Sequence, residues 1–79
     1  MKAKFEIERS IGVLSDTGKV RKELNIVRWC NQKPVLDLRN WYVNEDETKE
    51  ALKGITLTLD EARALAKVLN TYLAENEVQ

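Results

Sequence analysis

At Thr58 the hydrophobic pattern of this chain switches from the alternation of a strand to the spacing of a helix, and no other feature limits the fold as strongly. Residues 54–59, Gly-Ile-Thr-Leu-Thr-Leu, alternate strictly: Ile55, Leu57 and Leu59 fall on one side, Thr56 and Thr58 on the other. That is the pattern of a half-buried strand. Thr58-Leu59-Asp60-Glu61 then has the form of a capping box, in which the threonine hydroxyl and the glutamate carboxylate each satisfy the other's backbone N–H. Ala62, Leu65, Ala66, Leu69, Tyr72 and Leu73 recur at helical spacing and make one apolar stripe. The chain is therefore expected to close with a strand over 54–59 and a helix over 59–74, with Glu75 to Gln79 fraying.

Three further strands are expected upstream. Residues 4–15 alternate, with Phe5, Ile7, Ile11 and Val13 on one parity and Arg9 interrupting the row. Ser15-Asp16-Thr17-Gly18-Lys19 is a turn signal, Gly18 being free to take positive φ. Residues 21–30 place Leu24 and Ile26 on one face and Asn25, Val27 and Trp29 on the other. A connection through Asn31-Gln32-Lys33-Pro34 leads to a strand over 35–43, where Leu36 and Leu38 are expected inward and Val35, Asp37, Arg39 and Trp41 outward. The polar, acidic stretch 44–53 reads as a loop. The predicted fold class is α+β, a four-stranded antiparallel sheet followed by one C-terminal helix (β-β-β-β-α). The helix is expected to cover one sheet face and to leave the other open for function.

A chain of 79 residues holds one domain with a small core. Such domains are often reinforced by disulfides, metals or a partner subunit. One cysteine excludes an internal disulfide, and with no histidine a zinc site lacks its usual nitrogen ligand. A homodimer is the reinforcement left, beside a well-packed monomer. No run approaches the length of a membrane span, no signal-peptide pattern opens the chain, and one free cysteine suits a reducing cytoplasm.

Catalytic groups are sparse. Without histidine there is no Ser-His or Cys-His pair, and Cys30 reads as a small, partly buried residue. Glu45, Asp46, Glu47 and Glu50 make an acidic stretch, which is ordinarily a solvated loop and not a Mg²⁺ site. Neither nucleotide-binding glycine fingerprint is present. The expectation is a non-enzyme with no cofactor.

Charge distribution is more informative than its zero sum. Residues 19–39 carry six basic groups against two acidic ones, a local +4, while residues 40–79 carry four against eight, a local −4. A local field follows the patch and not the total. The basic segment also holds an aromatic residue and leads into two more. Single-stranded nucleic acid asks for cations along its phosphates and flat side chains for its exposed bases. The candidates are Trp29, Trp41 and Tyr42 for stacking, Arg28, Arg39, Lys22, Lys33 and Lys53 for phosphates, and Asn25 for a hydrogen bond to either. Packed aromatics and a solvated, charge-paired strand face are the competing readings of the same residues. Which of Arg28 and Trp29 faces the groove depends on a register that a bulge near Cys30 would swap.

Gly12-Val13-Leu14-Ser15, Lys22-Glu23-Leu24-Asn25, Arg28-Trp29, Asp37-Leu38-Arg39-Asn40-Trp41 and Lys53-Gly54-Ile55-Thr56-Leu57-Thr58, in that order, resemble the transcriptional coactivator positive cofactor four (p15) family, and more closely its bacterial YdbC-type members. The resemblance runs from Phe5 to Leu73. It implies a dimer paired through its helices, with curved sheets that present basic and aromatic residues to single-stranded DNA with little sequence preference. In that frame Trp29 is the strand-two aromatic and Arg39 the strand-three arginine. Trp41 and Tyr42 are the aromatic pair after it, and Lys53 is the basic residue before the last strand. Lys22 and Asn25 match the YdbC-type pattern. Cys30-Asn31-Gln32-Lys33 departs from the eukaryotic pattern by keeping one lysine, and Leu52 stands where a second basic residue is usual. Single-stranded RNA remains open as a further ligand. The alternative function is a protein-interaction module that uses the open sheet face.

Overall fold

The computed structural model describes residues 4–77. Four strands, β1 (Phe5–Asp16), β2 (Val20–Trp29), β3 (Val35–Val43) and β4 (Lys49–Leu57), precede one helix, α1 (Leu59–Glu77). The strands lie side by side in chain order and every neighbouring pair is antiparallel. The β-β-β-β-α architecture is as the sequence predicts.

The turns follow from local chemistry. Gly18 sits at φ 97°, and its N–H donates to Asp16 Oδ1 at 2.8 Å. In the second hairpin Cys30 and Asn31 both take positive φ, 48° and 66°, and the Gln32 N–H closes the turn on the Trp29 carbonyl at 2.8 Å. Two successive left-handed residues give a turn whose twist matches that of the flanking strands. Cys30 is exposed there, not partly buried as expected. The third turn is short. Thr48 donates from its N–H and its hydroxyl to Asp46 Oδ1, at 3.0 and 2.6 Å, and β4 begins at once with Lys49. The second half of the loop expected over 44–53 is thus strand. Its alternation is hidden by a bulge between the Arg39 and Trp41 pairings and by Lys49, whose charge is used inside the sheet.

The capping box forms as predicted: the Thr58 N–H donates to Glu61 Oε1 at 2.8 Å and the Glu61 N–H to Thr58 Oγ1 at 3.1 Å. The helix continues to Glu77, past the expected end at residue 74, so Glu75 to Glu77 belong to it. Residues 78 and 79 of the expected frayed tail lie outside the described residues. No helical residue is buried. The helix lies against β4, the strand it follows, and covers neither sheet face, contrary to expectation. The radius of gyration is 14.5 Å, against the ~11.6 Å expected of a compact domain of this length.

The core lies instead on the sheet's own concave side. Trp41 is registered with Arg21, eight residues along β2 from Trp29, a separation of ~26 Å in a flat strand. The two indole centroids are 6.2 Å apart. Only strong coiling brings them together, and bulges supply it: three register shifts in the β1–β2 pairing and one between β3 and β4. The expected faces are therefore inverted. Trp41 and Asp37 are 0% exposed, with Val27, Asn25 and Glu23 beside them. Leu24, Ile26, Leu36 and Leu38 are only half-buried on the convex side, where Ile55 is 54% exposed. The bulge after Ile7 turns Arg9 onto the convex face, opposite Ile26, which is why it interrupts the apolar row.

Candidate nucleic-acid interface

Direct pairing across β1, β2, β3 and β4 assigns each candidate residue to a face. Trp29, Asn25, Arg39 and Trp41 share the concave face; Arg28, Lys22 and Tyr42 share the convex one. The β2–β3 register runs without a bulge from Val20 to Val27, so Trp29, and not Arg28, points inward.

The concave side is an internally neutralised polar core around three rings. Phe5 packs on Trp29 and Trp41 at centroid distances of 5.7 and 4.9 Å, and the two indoles are parallel within 3°. The Arg39 guanidinium lies 4.5 Å above the Trp29 ring. It is held there by Asp37, through Nε to Oδ1 at 2.7 Å and Nη2 to Oδ2 at 2.7 Å, and by the Leu52 carbonyl at 3.0 Å. Bidentate pairing of this kind spends the donors a phosphate would use. Trp41, expected to face outward, has no exposed surface and so no free ring face for a base. Asn25, also 0% exposed, donates to Glu23 Oε1 at 3.0 Å.

Glu23 anchors the second charge group. Lys49 Nζ reaches both of its oxygens at 2.9 Å, and Arg21, itself 3.3 Å from Asp16, lies 3.3 Å from Oε2. Burial pushes the Glu23 carboxyl up, but hydrogen bonds from Asn25, Lys49 and Arg21 and the Lys49 charge outweigh it, so the group sits below its ordinary value. A carboxyl depressed by folding stabilises the fold above the unfolded-state value and loses that contribution as pH falls toward the folded-state value. The urea midpoint of the parent is therefore expected to fall on acidification below the ordinary glutamate range. Glu23→Gln, less stable at neutral pH, should show a shallower acid limb. Equal slopes in the two proteins would remove Glu23 as the acid-sensitive group.

The convex face is different. Arg28 is held by Glu8 and by the Gln32 carbonyl, yet its side chain stays 40% exposed. Lys22 and Lys53, by contrast, have no acidic partner among the described residues. They line one open cavity of about 380 Å³ with Asn40, Leu38, Arg39, Gly54 and Ile55. Tyr42 is 37% exposed and follows Asn40 on the same face of β3. Lys33 is exposed in the hairpin at the other end of β2, away from this cluster. Asn40 was not singled out from the sequence, although its place two residues before Tyr42 puts it on that face.

The convex face divides along the strands. Toward the helix, Ile11, Leu24, Ile26, Leu36, Leu57 and Leu59 line an apolar hollow of about 540 Å³. Toward the first and third turns, the same strands carry Lys22, Asn40 and Tyr42. Carboxylate clusters able to hold a metal are absent among the described residues.

No curated protein sequence matches the chain significantly. The family model described as Transcriptional Coactivator p15 (PC4) matches residues 18–68. That span runs from the first turn into the helix and contains Lys22, Arg39, Tyr42 and Lys53, so the chain belongs to the transcriptional coactivator p15 (PC4) family.

Proposed function

We propose that the protein binds single-stranded DNA with little sequence preference, as a homodimer, in transcription or another process that exposes single strands in the cytoplasm. Family membership supports the class of function. Within the chain, the observation that carries the reading is the convergence of Lys22 and Lys53, which have no acidic partner among the described residues, on one open cavity, in a sheet whose concave cations are neutralised by its own carboxylates. In this reading Lys22 and Lys53 meet phosphates, Arg28 near the end of β2 and Lys33 in the hairpin beyond it add charge, and Tyr42 offers its ring to a base. Trp29, half-buried beneath Arg39 on the concave face, packs under the sheet that carries them. Asn25, Arg39 and Trp41 shape the sheet that holds these groups. Single-stranded RNA presents the same phosphates and base faces and is the second ligand of this surface.

The homodimer is supported by what α1 leaves uncovered. Leu65, Val68, Leu69, Tyr72 and Leu73 are 39–62% exposed, and the apolar hollow lies at the helix end of the sheet. Contiguous apolar surface of this kind marks an interaction site, and a second copy supplies both a stripe and a hollow. A different protein docked on this stripe is the rival reading.

Anisotropy of a labelled oligo-dT at two salt concentrations, with equal-length duplex as competitor, tests the function. Salt-sensitive binding that duplex fails to displace is expected, with log K falling by ~0.7 per log unit of salt for each phosphate neutralised. The protein should sediment as a dimer at micromolar concentration. Absence of binding at low salt would overturn the reading in favour of a protein partner.

A further inference from the structure

We propose that the bound single strand continues from the Lys22–Lys53 cavity along the convex face of β3 to the sheet corner, where Lys19 supplies the next phosphate contact. This rests on the single-stranded DNA reading of the same face and extends its track to a residue outside the candidate set. A second open cavity, also of about 380 Å³, lies at the corner and is lined by Gly18, Lys19, Tyr42, Val43, Asn44 and Glu45. The two cavities are neighbours by register. Lys22 pairs with Asn40 and Val20 pairs with Tyr42, so Asn40 in the first cavity and Tyr42 in the second are successive residues on one face, ~7 Å apart along the strand. That step is comparable to one repeat of an extended single strand.

The corner holds what a nucleotide needs. Tyr42 is the exposed aromatic of the sheet, at 37%. Lys19 has no acidic partner among the described residues, and its backbone is tied to β3 by the Val43 N–H donating to the Lys19 carbonyl at 2.8 Å. Gly18, at φ 97°, lets the first turn fold tightly enough to set Lys19 beside Tyr42. A base stacked on Tyr42 then has Lys22 and Lys53 on one side and Lys19 on the other. Stacking on an aromatic contributes ~1–3 kcal/mol per base and tolerates any sequence. Glu45, in the same lining, opposes the phosphate and sets a limit on affinity that its removal should lift.

The test is oligo-dT anisotropy with the full chain and five variants, each checked for a parental unfolding midpoint. Lys19→Ala should weaken binding several-fold and reduce the steepness of the salt dependence by ~0.7, the loss of one phosphate contact. Lys67→Ala, which removes an exposed charge on α1, should leave both unchanged. Tyr42→Leu should weaken binding while Tyr42→Phe, which keeps the ring, should not. If Lys19→Ala behaves as Lys67→Ala while Lys22→Ala still loses affinity, the track ends at the first cavity: the corner proposal is overturned and the DNA-binding reading stands. If the parent protein itself fails to bind at low salt, both fall.

Discussion

Replacing Gly54 with alanine is expected to cost about 3 kcal/mol or more, enough to unfold much of a domain this small. The position has no unusual backbone angle; the constraint is space. A Cβ on Gly54 would sit 1.9 Å from Arg39 Cβ and 2.7 Å from both Arg39 Cα and the Leu38 carbonyl oxygen. Two of those three atoms are backbone, so no rotamer change relieves the contact. β4 has to withdraw from β3, and in doing so it loosens the pairing that places Asp37, Arg39 and Trp41. Gly12→Ala is the natural control, because a Cβ there meets nothing within 4 Å. Urea unfolding of the two variants and the parent gives the comparison. A Gly54→Ala midpoint close to that of Gly12→Ala would mean that the strands separate more readily than this close approach implies.

The second large effect is expected at Asp37. This carboxylate is 0% exposed and holds Arg39, whose side chain is only 14% exposed. Asp37→Ala leaves a buried guanidinium without its counter-charge, for which a loss of about 3–5 kcal/mol is typical. Much of that loss belongs to the stranded arginine and not to the pair. The double variant Asp37→Leu with Arg39→Met should accordingly recover a large part of it. Tryptophan emission offers an independent reading, since Arg39 would leave its place 4.5 Å above Trp29. If the double variant is no more stable than Asp37→Ala, the pair itself, and not the uncompensated charge, carries the energy.

The strand order and the helix were legible because their signals are local. The Thr58–Glu61 box, the Gly18 turn and the alternation of β2 and β3 each occupy a few adjacent residues. Which face of the sheet is inside was not legible. Leu24, Ile26, Leu36 and Leu38 are more apolar than Glu23, Asn25, Asp37 and Arg39, and hydrophobicity alone buries the first set. The sheet buries the second, because its charges cancel in pairs that join β2 to β4 and Arg39 to Asp37, and because the bulges that coil it depend on pairings between distant residues. The candidate site divided accordingly. Lys22, Tyr42 and Lys53 are gathered on the convex side, while Trp41 and Asn25 were drawn into a core that only the coiling reveals. Lys19 and Asn40 escaped notice because nothing in their immediate sequence distinguishes them; register does.

The bulges in β1 bear on association between molecules as well. β1 is an edge strand of 12 residues, and an edge of that length, with its outward N–H and C=O groups in even rows, would template pairing with any other extended chain. Three interruptions in its register break those rows into short, differently aimed segments. The irregularities that curl the sheet around Trp41 thus also make its longest open edge a poor template for runaway strand addition.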